Sequence, residues 1–211
     1  MADGPGGAVL DLICSQRACR RYTHEPVPDD ALATMIEAAS HAPSAENRQP
    51  WVFIVVDDDD LRTAIDDLSR AIWSAGGRPH SEASLIPSFF EAVDRFFESG
   101  HGGAPRLVVI AGDGRSGAGQ GVLASSVFPA VQNLLLAASA MGYGSTMTTL
   151  AAQAPGELVR VLGLPEDVLP LAVIPIGRPA RPAGPPRRRS VEEIAHRNRF
   201  GTAFTDGAAP C

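Results

Sequence analysis

The sequence predicts an α+β fold, and three observations carry that prediction. Apolar runs of strand length stand at "WVFIVV" (51–56), "RLVVIAG" (106–112) and "LPLAVIPIG" (169–177). Stretches of helical periodicity separate these runs. The longest, around "VQNLLLAASAM", is apolar on nearly every side and so must be buried by protein on most of them. With 211 residues, 45% of them hydrophobic and 20% charged, the chain is long enough for a sizeable core within one compact domain.

The elements follow in order. From Asp30 to His41, Leu32, Met35, Ile36 and Ala39 fall at i, i+3, i+4 and i+7 after an acidic first turn, which predicts a helix that Pro43 stops. The strand at 51–56 is followed by four acids, Asp57 to Asp60. They read as a helix cap and dipole-complementing first turn rather than a metal site, ahead of a helix bearing Leu61, Ile65 and Leu68. Residues 70–104 are rich in glycine, serine and histidine. Within them "FFEAVDRFF" (89–97) has helical spacing and reads as a core stripe or as a helix covering a pocket.

From Ser116 to Gly156 no side chain is charged, and Pro129 either starts or kinks the helix in that stretch. "GYGSTMTT" predicts a glycine turn into a β-prone segment, "GELVRVLGLP" a short helix, and 169–177 a further strand. The proline- and arginine-rich "RPARPAGPPRRRS" and the short helix of "VEEIAHRNRFG" form an arm that need not fold on its own body. No internal repeat is visible.

Bulk chemistry narrows the function. A net charge of −6 and a pI near 5.3 argue against nucleic acid and anionic membranes as partners. All 18 basic residues are arginine, so a lysine Schiff base and a phosphate loop of the GK[ST] type are both excluded. Cys14, Cys19 and Cys211 show neither a CxxC pair nor a metal-binding pattern and read as incidental reduced thiols. The five histidines, His24, His41, His80, His101 and His196, lack metal-ligand spacing and read as structural or exposed. "MADGPGGAVLDLIC" lacks a positive leader, and no run of eighteen apolar residues occurs, so a soluble cytoplasmic protein is expected. "GDGRSG" (112–117) matches a dinucleotide fingerprint after a strand. No acid lies between Asp113 and Glu157 to hold a ribose, so the segment reads as a glycine-rich strand exit.

Three separated segments point to one anionic, planar ligand. "QRACRRYTHEPVP" gathers Arg17, Arg20 and Arg21, and "PPRRRS" gathers Arg187, Arg188 and Arg189; guanidinium forks suit phosphate. "HAPSAENRQPW" offers Ser44, Asn47 and Gln49, which both donate and accept, and "GYGS" offers backbone amides free of large side chains.

In this order the segments resemble the nitroreductase family of flavin mononucleotide (FMN) enzymes. "APSAENRQPW" (42–51) matches the family's APSAxNxQPW almost letter for letter. "RACRRYTHEPVP", "QNLLLAASAMGYGS" and "RRRSVEEIAHRNRFG" are similar to its opening, central and closing segments. The likeness runs from about Leu12 to Gly201. It implies a single domain over 1–211, with a core of about 12–201, a C-terminal arm at 178–201 and a flexible tail at 202–211. The implied architecture is a central mixed or antiparallel sheet flanked by helices in an intertwined homodimer, with FMN at the dimer interface.

Carried over by position, Arg20 contacts the flavin phosphate and Arg17 the ribityl chain or the pyrimidine edge. Pro43, Ser44 and Ala45 come from the partner subunit, and Asn47 and Gln49 brace that loop or reach the cofactor. Gly142, Tyr143, Gly144 and Ser145 line the ring, and Arg188, with Arg189 as second choice, closes on the phosphate. Ala18 stands where the family has a serine, so one hydrogen bond to the cofactor is missing. No side chain is required as a catalyst, and no metal is required.

The resemblance implies an oxidoreductase in which NADH or NADPH delivers hydride to flavin N5. A nitroaromatic, quinone or similar small-molecule acceptor then uses the same slot, giving ping-pong kinetics. Two alternatives stay open: a flavin-dependent dehydrogenase or reductase dedicated to one biosynthetic metabolite, and a non-enzymatic flavin or ligand carrier.

Overall fold

The computed structural model describes residues 5–117, 119–182, 184 and 186–204. In chain order the helices are α1 (Pro5–Ser15), α2 (Asp29–Ser40), α3 (Asp59–Ile72), α4 (Arg78–Ser84), α5 (Pro87–Glu98), α6 (Gly100–Gly103), α7 (Gln120–Ala140), α8 (Pro155–Leu162) and α9 (Val191–Ile194). The strands are β1 (Trp51–Val56), β2 (Arg106–Asp113), β3 (Gly144–Ser145) and β4 (Val168–Gly177). The chain divides into a unit spanning Ala18–Pro182 and a second formed by Met1–Arg17 with Ala183–Cys211.

The larger unit is built on one antiparallel sheet of order β1-β2-β4-β3. β1 and β2 pair from Trp51↔Gly112 to Val56↔Leu107, and the β2–β4 register shifts between Ile110 and Ala111. Both faces of the sheet are covered. Val108 and Ile110 of β2 and Ile174 and Ile176 of β4 join the core beneath α2 and α7, while Leu107, Val109 and Val173 join the core containing Ile65, Phe96, Phe97 and Leu158. Alternate residues thus serve two hydrophobic layers, which is why these strands read as unbroken apolar runs rather than as an alternating pattern.

Asp58 caps α3 by accepting from the Leu61 amide at 2.9 Å, and Asp59 and Asp60 fill the first turn, as the acid run suggested. Asp57 pairs with Arg106 at 3.2 Å. Pro129 lies inside α7 rather than at its start, and having no N–H it leaves the Ser125 carbonyl without its helical donor. By length and composition α7 could cross a bilayer, with mean hydropathy 1.5 over its most apolar window. Here its stripe of Leu123, Val127, Ala130, Val131, Leu134 and Ala138 is instead buried in the core with α2.

Residues 70–104 are helical throughout most of their length: a π-helical turn at Trp73–Gly77 leads into α4, α5 and α6. Asp94 staples this excursion, accepting from the Trp73 indole at 2.9 Å and from Arg78 Nε and Nη2 at 2.9 and 3.1 Å. The Arg78 hydrogen bonds hold the Asp94 carboxyl below its usual range. Phe96 and Phe97 are core, whereas Phe89 at the start of α5 is 39% exposed.

"GDGRSG" is a strand exit. Asp113 ends β2 and accepts from the Arg115 amide at 3.0 Å and from its Nε at 2.9 Å, while the Gly114 amide donates to the Asp167 carbonyl at 2.8 Å. Arg115, first through its guanidinium and then through its backbone amide, holds the Asp113 carboxyl at about 2. A carboxyl depressed on folding stabilises the protein above its unfolded pKa of about 3.9, and that contribution disappears as pH falls through about 2. Asp113→Asn is therefore expected to flatten the acid limb of a Tm-against-pH profile between about pH 4 and pH 2. An equally steep limb in the variant would contradict this account.

In the smaller unit, α1 was not foreseen from sequence; Val9, Leu10 and Ile13 on it are exposed. Of the expected tail 202–211, residues 202–204 fold back, with His196 bridging Ala203 and the Arg197 guanidinium 5.1 Å from the Phe204 ring; 205–211 lie outside the described residues. Cys14 is disulfide-bonded, which corrects the expectation of a reduced thiol there. Cys19 is free, and Cys211 lies outside the described residues.

Candidate functional site

The loop after α2 holds three non-glycine residues in left-handed backbone. Ala42 is buried against the core, and beyond it Glu46, Asn47 and Gln49 have φ of 54°, 55° and 50°. Asparagine tolerates left-handed backbone, but glutamate and glutamine rarely enter it. Gln49 is constrained further because Pro50 follows it. Such conformations persist only where the surroundings over-determine them, and they cluster at binding sites.

The clamps are visible. The Ala45 amide donates to the Ser126 hydroxyl of α7 at 3.2 Å, the Gln49 amide donates to the Ser44 hydroxyl at 3.0 Å, and the Asp113 amide donates to the Pro50 carbonyl at 2.7 Å. Gln49 Nε2 donates to Asn47 Oδ1 at 3.3 Å, so these two side chains brace one another on an exposed loop. Glu46 is ion-paired with Arg48. Pro43 is exposed, and Ser44 is half-buried.

The glycine turn ends α7. Gly142 has φ of 76°; its amide donates to the Ser139 carbonyl at 3.0 Å and the Tyr143 amide to the Ala138 carbonyl at 2.8 Å. This is a left-handed helix C-terminus, and it occupies two of the backbone amides expected to face a ligand. Arg178 completes the turn from the far end of β4. Its Nη1 donates to the Met141 and Gly142 carbonyls at 3.3 and 3.1 Å, its guanidinium lies 4.0 Å from the Tyr143 ring centroid, and Nε donates to Glu25 at 3.3 Å. Arg178 was not singled out from sequence, since nothing about an arginine after "PIG" distinguishes it from a solvated strand end.

The Ala18–Tyr22 segment docks on this turn. The Cys19 amide donates to the Ser145 carbonyl at 2.9 Å, and a Cβ at Gly144 would meet Cys19 Sγ at 2.6 Å, so only glycine permits the approach. Burial pushes the Cys19 thiol up, and it donates to the Arg21 carbonyl at 3.3 Å. Arg20 is half-buried with its guanidinium 4.8 Å from the Phe89 ring centroid. Ala18 is half-buried and carries no polar group.

The structure thus sets Cys19, which stands between Ala18 and Arg20, against Gly144 and Ser145 beside Gly142 and Tyr143, but the loop with Pro43, Ser44, Ala45, Asn47 and Gln49 stands elsewhere. That loop is clamped at Ser126, and the turn follows Ala140; about 20 Å of helix axis separates them at 1.5 Å per residue. A cleft of about 240 Å³ between the first half of α7 and the Thr149–Pro155 region includes none of these residues. In the smaller unit, Arg17 Nη1 donates to the Gly184 carbonyl at 2.6 Å, and Arg188 Nη1 donates to the Arg187 carbonyl at 3.0 Å; Arg188 and Arg189 are exposed. Among the described residues no cluster of three or more His, Cys, Asp or Glu is arranged to hold a metal ion.

Known proteins are similar to this chain in sequence and fold. The chain is 29% identical over 193 residues to an NADH dehydrogenase of Thermus thermophilus, covering 85% of this chain and 90% of that one. It is 27% identical over 196 residues to an FMN reductase [NAD(P)H] of Bacillus subtilis, covering 91% and 74%. The crystal structure of a nitroreductase with bound FMN from Desulfitobacterium hafniense superposes with a TM-score of 0.69 at 25% identity, covering 89% of this chain and 97% of that one. The model of the nitroreductase family matches residues 13–178, which span the sheet, the strained loop, α7 and the glycine turn, and the chain belongs to that family of oxidoreductases.

Proposed function

We propose that the protein is an FMN-dependent oxidoreductase that takes hydride from NADH or NADPH and passes it to a nitroaromatic, quinone or similar small acceptor by a ping-pong route. The observation that carries this reading is the Arg20 segment docked on the glycine turn, in a chain whose "APSAENRQPW" loop is held in left-handed backbone. The donor set suits an anionic, planar nucleotide: a half-buried guanidinium, side-chain amides and a hydroxyl. The nearby acids Glu46 and Glu25 are already neutralised by Arg48 and Arg178.

Bound FMN supplies the two-electron chemistry that no side chain here can perform. Arg20 holds the phosphate, with Phe89 supporting its guanidinium from one side. Gly142 is exposed, and Arg178 Nη1 lies 3.1 Å from where its Cβ would stand, so the turn would present Gly142 and the Arg178 guanidinium to a flat ring, with Tyr143, Gly144 and Ser145 buried beneath. Asn47 and Gln49 present amides to the ring edge or hold the loop that does. Ala18 contributes no hydrogen bond. Arg17, Arg188 and Arg189 are proposed as flavin ligands on sequence resemblance alone.

One flavin that touches both the turn and the loop takes them from two copies of the chain, because about 20 Å of α7 lies between them. Pro43, Ser44 and Ala45 are then donated by a second copy. The charge-free α7, whose Val122 is 46% exposed in the single chain, is the surface that copy would cover. A flavin-loaded monomer in analytical ultracentrifugation would rule out this homodimer. A nicotinamide donor makes the cytoplasm the expected compartment.

The function is tested by adding NADPH, then NADH, to the purified protein without oxygen while recording its visible spectrum. A yellow protein whose flavin band bleaches supports the reading. A yellow protein that stays yellow is reduced by a substrate of its own or is a carrier, and a colourless protein that FMN does not reconstitute removes the flavin assignment.

A further inference from the structure

The short turn α6 is built from left-handed backbone at every residue: Gly100, His101, Gly102 and Gly103 have φ of 63°, 45°, 73° and 70°. Glycine adopts this conformation without steric penalty, but His101 does not, so something holds it. The turn is pressed between two neighbours. A Cβ at Gly100 would lie 2.5 Å from Asp66 Oδ2 on α3, and a Cβ at Gly102 would lie 2.4 Å from the Arg20 carbonyl oxygen.

Between these contacts the His101 side chain enters the core. It is 1% exposed, with Phe96 and Phe97 ring centroids at 5.5 and 6.2 Å. Nδ1 donates to the Asp66 carboxylate, and Nε2 lies 3.2 Å from the Ser69 hydroxyl. The order Ser69–His101–Asp66 is that of a nucleophilic triad. Ser69, however, is 1% exposed, so no substrate reaches its hydroxyl and hydrolysis is excluded. A buried polar network with every member satisfied fixes geometry.

The geometry it fixes is that of Arg20. Gly102 accepts from the Tyr22 amide at 3.3 Å and abuts the Arg20 carbonyl. The Tyr22 hydroxyl donates to the Cys19 carbonyl at 2.8 Å, the Cys19 amide is held by Ser145, and Phe89 lies under the guanidinium. We propose that the Ser69–His101–Asp66 chain, buried at Ser69 and His101, is a positioning device: it locks the left-handed turn and thereby the backbone that aims Arg20 at the cofactor phosphate. This rests on the reading of Arg20 as the flavin-phosphate contact.

The test is a double-mutant cycle on the full-length protein, with FMN dissociation constants measured by fluorescence titration and folding checked by circular dichroism and Tm. The variants are Arg20→Ala, His101→Asn, Ser69→Ala and the two doubles. Asparagine tolerates the φ of His101 but cannot span Asp66 and Ser69 together. His101→Asn is expected to weaken FMN binding about tenfold beside Arg20, and less than about twofold in the Arg20→Ala background. Ser69→Ala, which removes one end of the chain and leaves the ring in place, is expected to show a smaller effect with the same dependence on Arg20. At saturating FMN the turnover of His101→Asn and of Ser69→Ala should return to that of the wild type.

Equal losses with and without Arg20, or no loss in either single variant, would reduce the cluster to ordinary core and overturn the proposal while leaving the flavin assignment intact. An Arg20→Ala protein with unchanged FMN affinity would remove the assignment of Arg20 itself, and the proposal with it.

Discussion

Arg20→Ala is expected to raise the FMN dissociation constant about 10- to 100-fold. Losing a charge-assisted hydrogen bond to phosphate removes about 1.5–3 kcal/mol of binding, and each 1.4 kcal/mol is a factor of ten. The guanidinium is half-buried and rests on Phe89, so part of its conformational freedom is already lost before the phosphate arrives. Arg20→Lys should fall between the two, keeping the charge but losing the planar fork and most of the contact with the ring. Any fraction that still carries FMN should react at nearly the wild-type rate, because the contact proposed for Arg20 is at the phosphate and not at the reacting ring. Isothermal titration of flavin-free protein measures the first quantity. Equal flavin content in variant and wild type would refute the assignment.

Gly144→Ala is expected to lower stability by about 2–3 kcal/mol, since overpacking a close approach costs about 1–3 kcal/mol and no nearby side chain can swing away. The new methyl would sit 2.6 Å from Cys19 Sγ, 2.7 Å from Cys19 Cβ and 3.0 Å from Pro179 Cγ. Cys19 cannot yield, because its amide is bonded to Ser145 and its thiol to the Arg21 carbonyl. For a chain of this size the loss corresponds to a fall in Tm of about 4–12 °C. Gly156→Ala is the control: it lies in α8, its added Cβ meets nothing within 4 Å, and alanine is the better helix former. Gly156→Ala should therefore melt at or slightly above the wild-type temperature. A Gly144→Ala protein with unchanged Tm would show that the Cys19 segment is free to move off β3. If it moves, FMN affinity should fall as well, because the same segment carries Arg20.

The helices and strands were legible where local pattern suffices. The four-residue spacing of Leu32, Met35, Ile36 and Ala39, the acids before Leu61 and the three apolar runs each announced an element that the structure contains. "APSAENRQPW" was legible as a candidate site because proline, serine, asparagine and glutamine in that order match a known family, not because any periodicity marks them. Helix α1 escaped notice: Pro5 is a start signal, but the two glycines after it disfavour a helix and "PGGAVLDLICS" shows no clear amphipathic stripe.

The rest depended on residues far apart in the chain. Gly144 must be glycine because Cys19 lies against it, Gly102 because the Arg20 carbonyl does, and His101 is core rather than surface because Asp66 and Ser69 meet it from α3. Arg178 is a cap on α7 only once β4 has been laid beside β3. The distance between the strained loop and the glycine turn follows from α7 being one continuous helix through Pro129, which sequence left undecided between a start and a kink. Periodicity and turn chemistry act over a few residues and are written in the neighbouring letters. Close approach and burial are set by which surfaces the chain brings together, and no short stretch of sequence contains both sides of such a contact.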